Sequence, residues 1–333
     1  MAKISEEKKI RFVAYLIFIL VTFLFVWYLV WGTGNKDESK YKMYFIPKTI
    51  DQGNDFWTSL IDGAYLGAKE YGVDLTVDGG RSEQDVNGQI KRIEKAIEAK
   101  PDAILISPCS YSGMNDILEK VVDNNIKLIL IDSVIDEKIA DGIVATDNYI
   151  AGKQLGESAL SSIGEDDEVA IMAHVKGAST AIERQEGILD GIGGKKDKVI
   201  ATKYCGSSYD IAYELTKEII DENPNVSVIF GTNEYASVGA ARAVKELDKK
   251  SEIKVFGFDN SIEEIKLLEE GIFSAIIIQK PFNMGYLGVE KAVSIIENED
   301  TELYIDSGCK LIDINNMYEE DNQKLLYPFT GQK

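Results

Sequence analysis

The chain has 333 residues, 45% hydrophobic and 28% charged, so it can build a sizeable core and is neither disordered nor wholly membrane-embedded. Its formal net charge of −20 repels phosphate backbones, which excludes a nucleic-acid partner and otherwise serves solubility. The three cysteines, Cys109, Cys205 and Cys309, are scattered without a CxxC, and His174 is the single histidine, so neither a disulfide framework nor a metal site is expected.

Residues 1–11 carry Lys3, Lys8, Lys9 and Arg11 and read as a cytoplasmic N-terminus. Phe12–Trp31 then pass twenty residues without a charge, and Thr22 alone is neither apolar nor aromatic. As a helix this run spans about 30 Å, the thickness of a bilayer's hydrocarbon core. Trp27, Tyr28 and Trp31 gather at one end, where amphipathic rings favour the headgroup layer. The exit WGTGNKDES has no small-residue cleavage pattern and no cysteine for lipidation. The expectation is an uncleaved single-pass anchor at 12–31, a polar linker at 32–40 and a large extracytoplasmic domain.

Beyond Lys40, short apolar runs alternate with amphipathic stretches. KMYFIP, VDLTVD, DAILIS, KLILID, EVAIMAH, KVIATKY, VSVIFGT, IKVFGFD and FSAIIIQ read as strands. Segments such as DFWTSLIDGAYLGAKEYG and DVNGQIKRIEKAIEAK repeat apolar residues every three or four positions and read as helices. That alternation predicts an α/β fold with parallel sheets covered by helices on both faces. Polar residues collect where strands end: 47–54, 107–111, Asp132 and Ser133, Asn233 and Glu234, Asp259 and Asn260. Ligands of open α/β sheets bind at the carboxyl ends of strands, so a ligand site is expected there.

GxGxxG, GxxxxGK[ST] and GxSxG are all absent, and the acidic run at 165–168 lacks calcium-loop spacing. No cofactor and no catalytic activity are expected. By residue type alone, Phe56 and Trp57 are either core residues opening a helix or flat walls of a site. Asp132 and Asp259 are either helix N-caps or ligand acceptors. Arg184 is either a surface helix residue or a donor, and Gln279 either a plain strand end or a site amide. His174 reads as a strand-end residue.

Seven motifs in order, NDFW (54–57), ILID (129–132), ATDN (145–148), ERQEG (183–187), FGTNE (230–234), VFGFDN (255–260) and IIIQKP (276–281), resemble those of the type I periplasmic sugar-binding proteins, most nearly the ribose-binding kind. The resemblance covers roughly 41–313. It implies two Rossmann-like lobes joined by a three-segment hinge, preceded here by one transmembrane helix. The N-terminal lobe would comprise 41–146 plus 280–307, and the C-terminal lobe 147–279 plus 308–333. Crossings are expected near Thr146–Asn148, after Gln279 and near Ser307–Lys310.

The resemblance also assigns ligand contacts. Asn54, Asn233 and Gln279 would bond hydroxyls, Phe56, Trp57 and, from the opposite lobe, Tyr209 would offer aromatic faces, and Asp132 and Asp259 would accept hydroxyl hydrogens. Arg184 would donate to ring and hydroxyl oxygens and offset the buried carboxylates. Ser133 departs from the pattern, since the ribose-type proteins carry an arginine after that acidic residue; the identity of the sugar is therefore open. IPK at 46–48 and IDS at 131–133 are also similar to the autoinducer-2-binding relatives. The implied function is closure on a monosaccharide, a pentose such as xylose or ribose, with autoinducer-2-like or polyol ligands as the alternative. The membrane partner would be an ABC permease or, as in anchored xylose-binding relatives of similar layout, a sensor histidine kinase.

Overall fold

The structure, a computed structural model, describes residues 6–27, 39–299 and 302–327. The chain divides into two compact units, Met1–Lys40 and Tyr41–Lys333.

In the first unit, helix α1 spans Glu6–Trp27. Its apolar side chains are exposed all round, from Phe12 at 64% to Phe18 at 66% and Phe23 at 65%. Thr22, the one residue of the run that is neither apolar nor aromatic, turns its hydroxyl back onto the carbonyls of Phe18 and Ile19 at 2.9 Å. Among the described residues, no helix is long and apolar enough to cross a membrane. The last four residues of the expected span, 28–31, lie outside the described residues, as does linker 32–38.

The second unit opens with β1 (Tyr41–Ile46), α2 (Asp55–Tyr71), β2 (Val73–Val77), α3 (Val86–Glu98), β3 (Ala103–Ile106), α4 (Asn115–Asp123), β4 (Lys127–Ile131) and β5 (Gly142–Ala145). The chain continues through α5 (Asn148–Ala159), β6 (Glu168–Ala173), α6 (Ser179–Gly191), β7 (Val199–Tyr204), α7 (Tyr209–Glu222) and β8 (Val226–Gly231). It closes with α8 (Glu234–Glu246), β9 (Lys254–Phe258), α9 (Ile262–Glu269), β10 (Phe273–Ile278), α10 (Pro281–Ile296), β11 (Tyr304–Asp306), β12 (Lys310–Asp313) and α11 (Glu320–Leu326).

Two six-stranded sheets result, in the orders β11-β5-β4-β3-β1-β2 and β12-β10-β9-β8-β6-β7. Every pairing is parallel except β12 against β10. The chain passes between the sheets after β5, after β10 and after β11. This is the two-lobed α/β architecture with parallel sheets.

Each sheet is buried on both faces, which is why its strands read as apolar runs. All four residues of β3 are buried, and alternate residues of β1, β3 and β4 enter two separate cores. The second sheet does the same. Helix α10 returns to the first lobe and packs on α2 at a distance only glycine permits. A Cβ on Gly63 would lie 1.9 Å from the Phe282 carbonyl oxygen, and one on Gly285 1.9 Å from that of Leu60.

The nine apolar runs all form strands. β5, β11 and β12, three or four residues each, lie outside them. They run along the sheets' outer strands, where β11 and β12 are only partly buried and need no continuous apolar segment.

Candidate functional site

The carboxyl ends of the two sheets face each other across a cavity. The first lobe lines it with Lys48, Asn54, Phe56 and Trp57 after β1, Glu83 after β2 and Asp132 after β4; the second lobe contributes His174 after β6, Thr180 and Arg184 on α6, Asn233 and Glu234 after β8, Asp259 after β9 and Gln279 after β10. The lobes touch around it. Tyr111 N donates to Gly177 O at 2.8 Å, Val134 N to Ser179 Oγ at 3.0 Å, and the Tyr235 hydroxyl to Asp51 Oδ2 at 2.9 Å. This is the closed arrangement.

Helix starts aim several of these groups. Asn54 caps α2 by accepting from Trp57 N at 3.0 Å, and Asn233 caps α8 by accepting from Ala236 N at 3.0 Å. Each amide thus spends its oxygen on the backbone; the Asn233 Nδ2 donates to Ser207 Oγ at 3.2 Å. Phe56 and Trp57 meet edge to face with centroids 5.2 Å apart.

Asp132 and Asp259 follow their strands in left-handed backbone, φ +66° and +83°. Neither caps a helix: Asp147 caps α5 and Ser261 caps α9. A non-glycine residue in that region is strained, and at a strand end beside a cavity the strain points the carboxylate inward. Asp259 accepts from Gln279 Nε2 at 2.7 Å and from Glu234 N at 2.8 Å. Burial pushes its carboxyl above the usual range, and the nearby Arg184 charge works against that rise.

The buried ion pair of the cavity is Lys48 Nζ–Asp132 Oδ2 at 2.9 Å. Ser133 Oγ donates to the same oxygen at 2.7 Å. Lys48 also stands 5.7 Å from the Trp57 ring centroid and 3.5 Å from Thr180 Oγ1. The cation missing after Asp132 in sequence is therefore supplied from the end of β1.

Arg184 lines the cavity and is held within its own lobe. Its Nε donates to Asn148 Oδ1 at 2.8 Å and its Nη1 to Thr232 O at 2.7 Å, while the guanidinium lies 4.4 Å over Phe258. Among the described residues no ion pair joins it to a carboxylate; it offsets Asp259 through space and braces its own lobe.

Two expected contacts stand one layer back. Ser133 holds Asp132, and Tyr209 donates its hydroxyl to Glu234 Oε1 rather than lining the cavity.

Lys48, Glu83, Thr180, His174 and Glu234 went unassigned as ligand groups in the sequence. His174 is wholly buried, with Nδ1 2.8 Å from Thr232 Oγ1 and Nε2 2.8 Å from Thr180 Oγ1. Burial, helped by Arg184 and Lys48, pushes its pKa well below the usual value, so it is neutral. Glu234 is raised to about 8, chiefly by burial. Burial also raises Glu83, with Lys48 opposing. The polar strand ends were a signal for Lys48 and Glu234, but for Glu83 no motif gave one.

Known proteins share this fold. A family model described as a periplasmic binding protein domain matches residues 43–300. The ribose import binding protein of Haemophilus influenzae is 28% identical over 264 residues, covering 79% of this chain and 88% of that protein. A crystal structure of a sugar transporter from Clostridium phytofermentans superposes with a TM-score of 0.79 at 40% identity, covering 82% of this chain and 99% of that one. A carbohydrate transporter solute binding protein from Agrobacterium radiobacter, in complex with D-arabinose, gives 0.82 at 27% identity, covering 86% and 99%.

Proposed function

Because the chain belongs to the periplasmic binding protein domain family, whose matched relatives are binding proteins and not enzymes, we propose that it is an extracytoplasmic receptor that closes on one monosaccharide. The observation that carries this reading is the lining of the cavity. Aromatic faces from Phe56 and Trp57 adjoin carboxylates and amides, and Gln279 Oε1 is buried there with no hydrogen-bond partner. A sugar ring presents apolar C–H faces and a rim of hydroxyls, and a hydroxyl would satisfy that oxygen. Pentoses such as ribose and xylose are the first candidates, given the ribose protein and the D-arabinose complex among the relatives.

Closure is a hinge motion in which ligand contacts from both lobes favour the closed state. Thermal shift and calorimetry with D-ribose, D-xylose, D-arabinose, D-allose, polyols and a disaccharide test this; a ligand at 100 times its Kd adds about 2.7 kcal/mol. Binding of the disaccharide alone would overturn it. A compact polyhydroxylated ligand of the autoinducer-2 kind is the second reading, favoured by the meeting of Lys48 and Asp132, the residues of the IPK and IDS segments; it belongs in the same panel.

We read the apolar run 12–31 as an anchor, supported by the all-round exposed apolar surface of α1, which lipid would cover. Mass spectrometry of membrane-extracted protein is expected to find residues 1–40 intact, and a chain starting near Gly34 in the medium would refute it. A tethered receptor serves a membrane partner, an ABC-type permease or a sensor histidine kinase. A sensor must bind open and closed forms unequally, so its ectodomain would change sugar affinity by the factor by which sugar changes its own binding.

A further inference from the structure

Glu83 and Gln84 follow β2 in the first lobe, and Gly206 and Ser207 follow β7 in the second. Glu83 is 4% exposed. Its Oε1 accepts the indole N–H of Trp57 at 2.6 Å, and its Oε2 accepts the hydroxyl of Ser207 at 2.7 Å. Ser207 Oγ in turn accepts from Asn233 Nδ2 at 3.2 Å. A continuous hydrogen-bonded chain therefore runs from an aromatic wall of one lobe to a cavity amide of the other. Beside it, Gln84 Nε2 donates to Gly206 O at 3.0 Å.

The receiving loop is shaped for this meeting. Gly206 and Ser207 are both left-handed, φ +62° and +55°. Glycine adopts that backbone freely, whereas serine does so at a cost that the local contacts must offset. A Cβ on residue 206 would fall 2.2 Å from Gln84 Nε2, so the end of that side chain would have to move aside.

A buried carboxylate with one donor from each lobe is fully satisfied only while the lobes are together. Separation removes the Ser207 donor and admits water to Glu83. Resting on the sugar-binding reading, we propose that Glu83 is a positioning residue that ties the Trp57 indole to lobe closure, with Ser207 as its counterpart: a latch on the loaded state. Both of its bonds are charge-assisted. Because the Ser207 bond joins the two lobes and forms after encounter, its loss acts on dissociation and leaves association unchanged.

The chain contains three tryptophans, Trp27, Trp31 and Trp57. In the full chain carrying Trp27→Phe and Trp31→Phe, in detergent, fluorescence reports Trp57 alone. Stopped-flow mixing with D-ribose, D-xylose or D-arabinose as probe measures both rate constants. Ser207→Ala is expected to raise koff about tenfold with kon unchanged. Glu83→Gln, which keeps the shape and removes the charge, is expected to shift Trp57 emission and raise koff. The double variant is expected to fall short of the product of the two single effects. A wild-type koff in Ser207→Ala, or multiplicative effects in the double variant, overturns the latch while leaving sugar binding standing. If Ser207→Ala fails to fold, Glu83→Gln decides alone, since unchanged emission and koff refute the proposal. A parent protein that shows no heat and no fluorescence change with any of the three sugars overturns the sugar reading and the latch together.

Discussion

Removing one partner of the Lys48–Asp132 pair tests the electrostatic plan of the cavity. The charges are 2.9 Å apart, with side chains 3% and 4% exposed, so salt screens them little. Coulomb's law at an effective dielectric constant of about 20 gives an attraction of about 6 kcal/mol at that distance, before desolvation is subtracted. Asp132→Asn leaves the ammonium beside Thr180 Oγ1 at 3.5 Å and an aromatic ring, neither of which replaces a carboxylate. Loss of one partner of a buried pair costs about 3–5 kcal/mol. Both residues belong to the first lobe, so the loss appears without ligand and independently of closure. Lys48→Met is expected to cost a similar amount, moderated by the Ser133 hydroxyl that remains on Asp132. The double variant Lys48→Met, Asp132→Asn buries no unpaired charge and is expected to recover most of the loss. Urea denaturation of the four proteins measures the cycle. A double variant destabilised by the sum of the singles would refute the claim that these charges depend on each other.

Arg184→Lys is expected to destabilise the protein by about 2–3 kcal/mol, because an ammonium cannot make the divergent bonds to Asn148 and Thr232 O while stacking on Phe258; a wild-type thermal melt would refute the bracing role. Glu234 has its pKa raised on folding to about 8, so the folded state holds the extra proton and stability is greatest in acid. That contribution is lost as pH rises from the ordinary carboxyl range through about 8, with a slope of at most ~1.4 kcal/mol per pH unit. Glu234→Gln is expected to flatten it in urea melts across pH, and an unaltered slope would refute the assignment. His174, as the one histidine, gives a single imidazole signal by NMR. Its burial predicts an imidazole midpoint well below the usual histidine value in the folded protein, and an ordinary midpoint near 6.5 would contradict the enclosed geometry.

The two lobes were implied by the family resemblance, whereas the α/β architecture with parallel sheets could be read from the sequence because burial of a parallel sheet on both faces leaves apolar runs that local inspection detects. Such are Ala103–Ile106 and Lys127–Ile131, together with Phe273–Ile278. Asp132, Asp259 and Gln279 could be read as strand-end groups for the same reason, since a polar residue closing an apolar run marks where the sheet meets a cavity. The partner of each group was decided only by the tertiary structure. Lys48 reaches Asp132 across 84 residues, and Glu83 reaches Ser207 across 124. Arg184 is held by Asn148 and Thr232 O, which face it from neighbouring elements. Tyr209 gives its hydroxyl to Glu234. The residue types were written in the chain, but a charge's energy depends on the dielectric and the distance to its partner. Both arise when distant segments pack together, and neither leaves a periodic trace in the sequence.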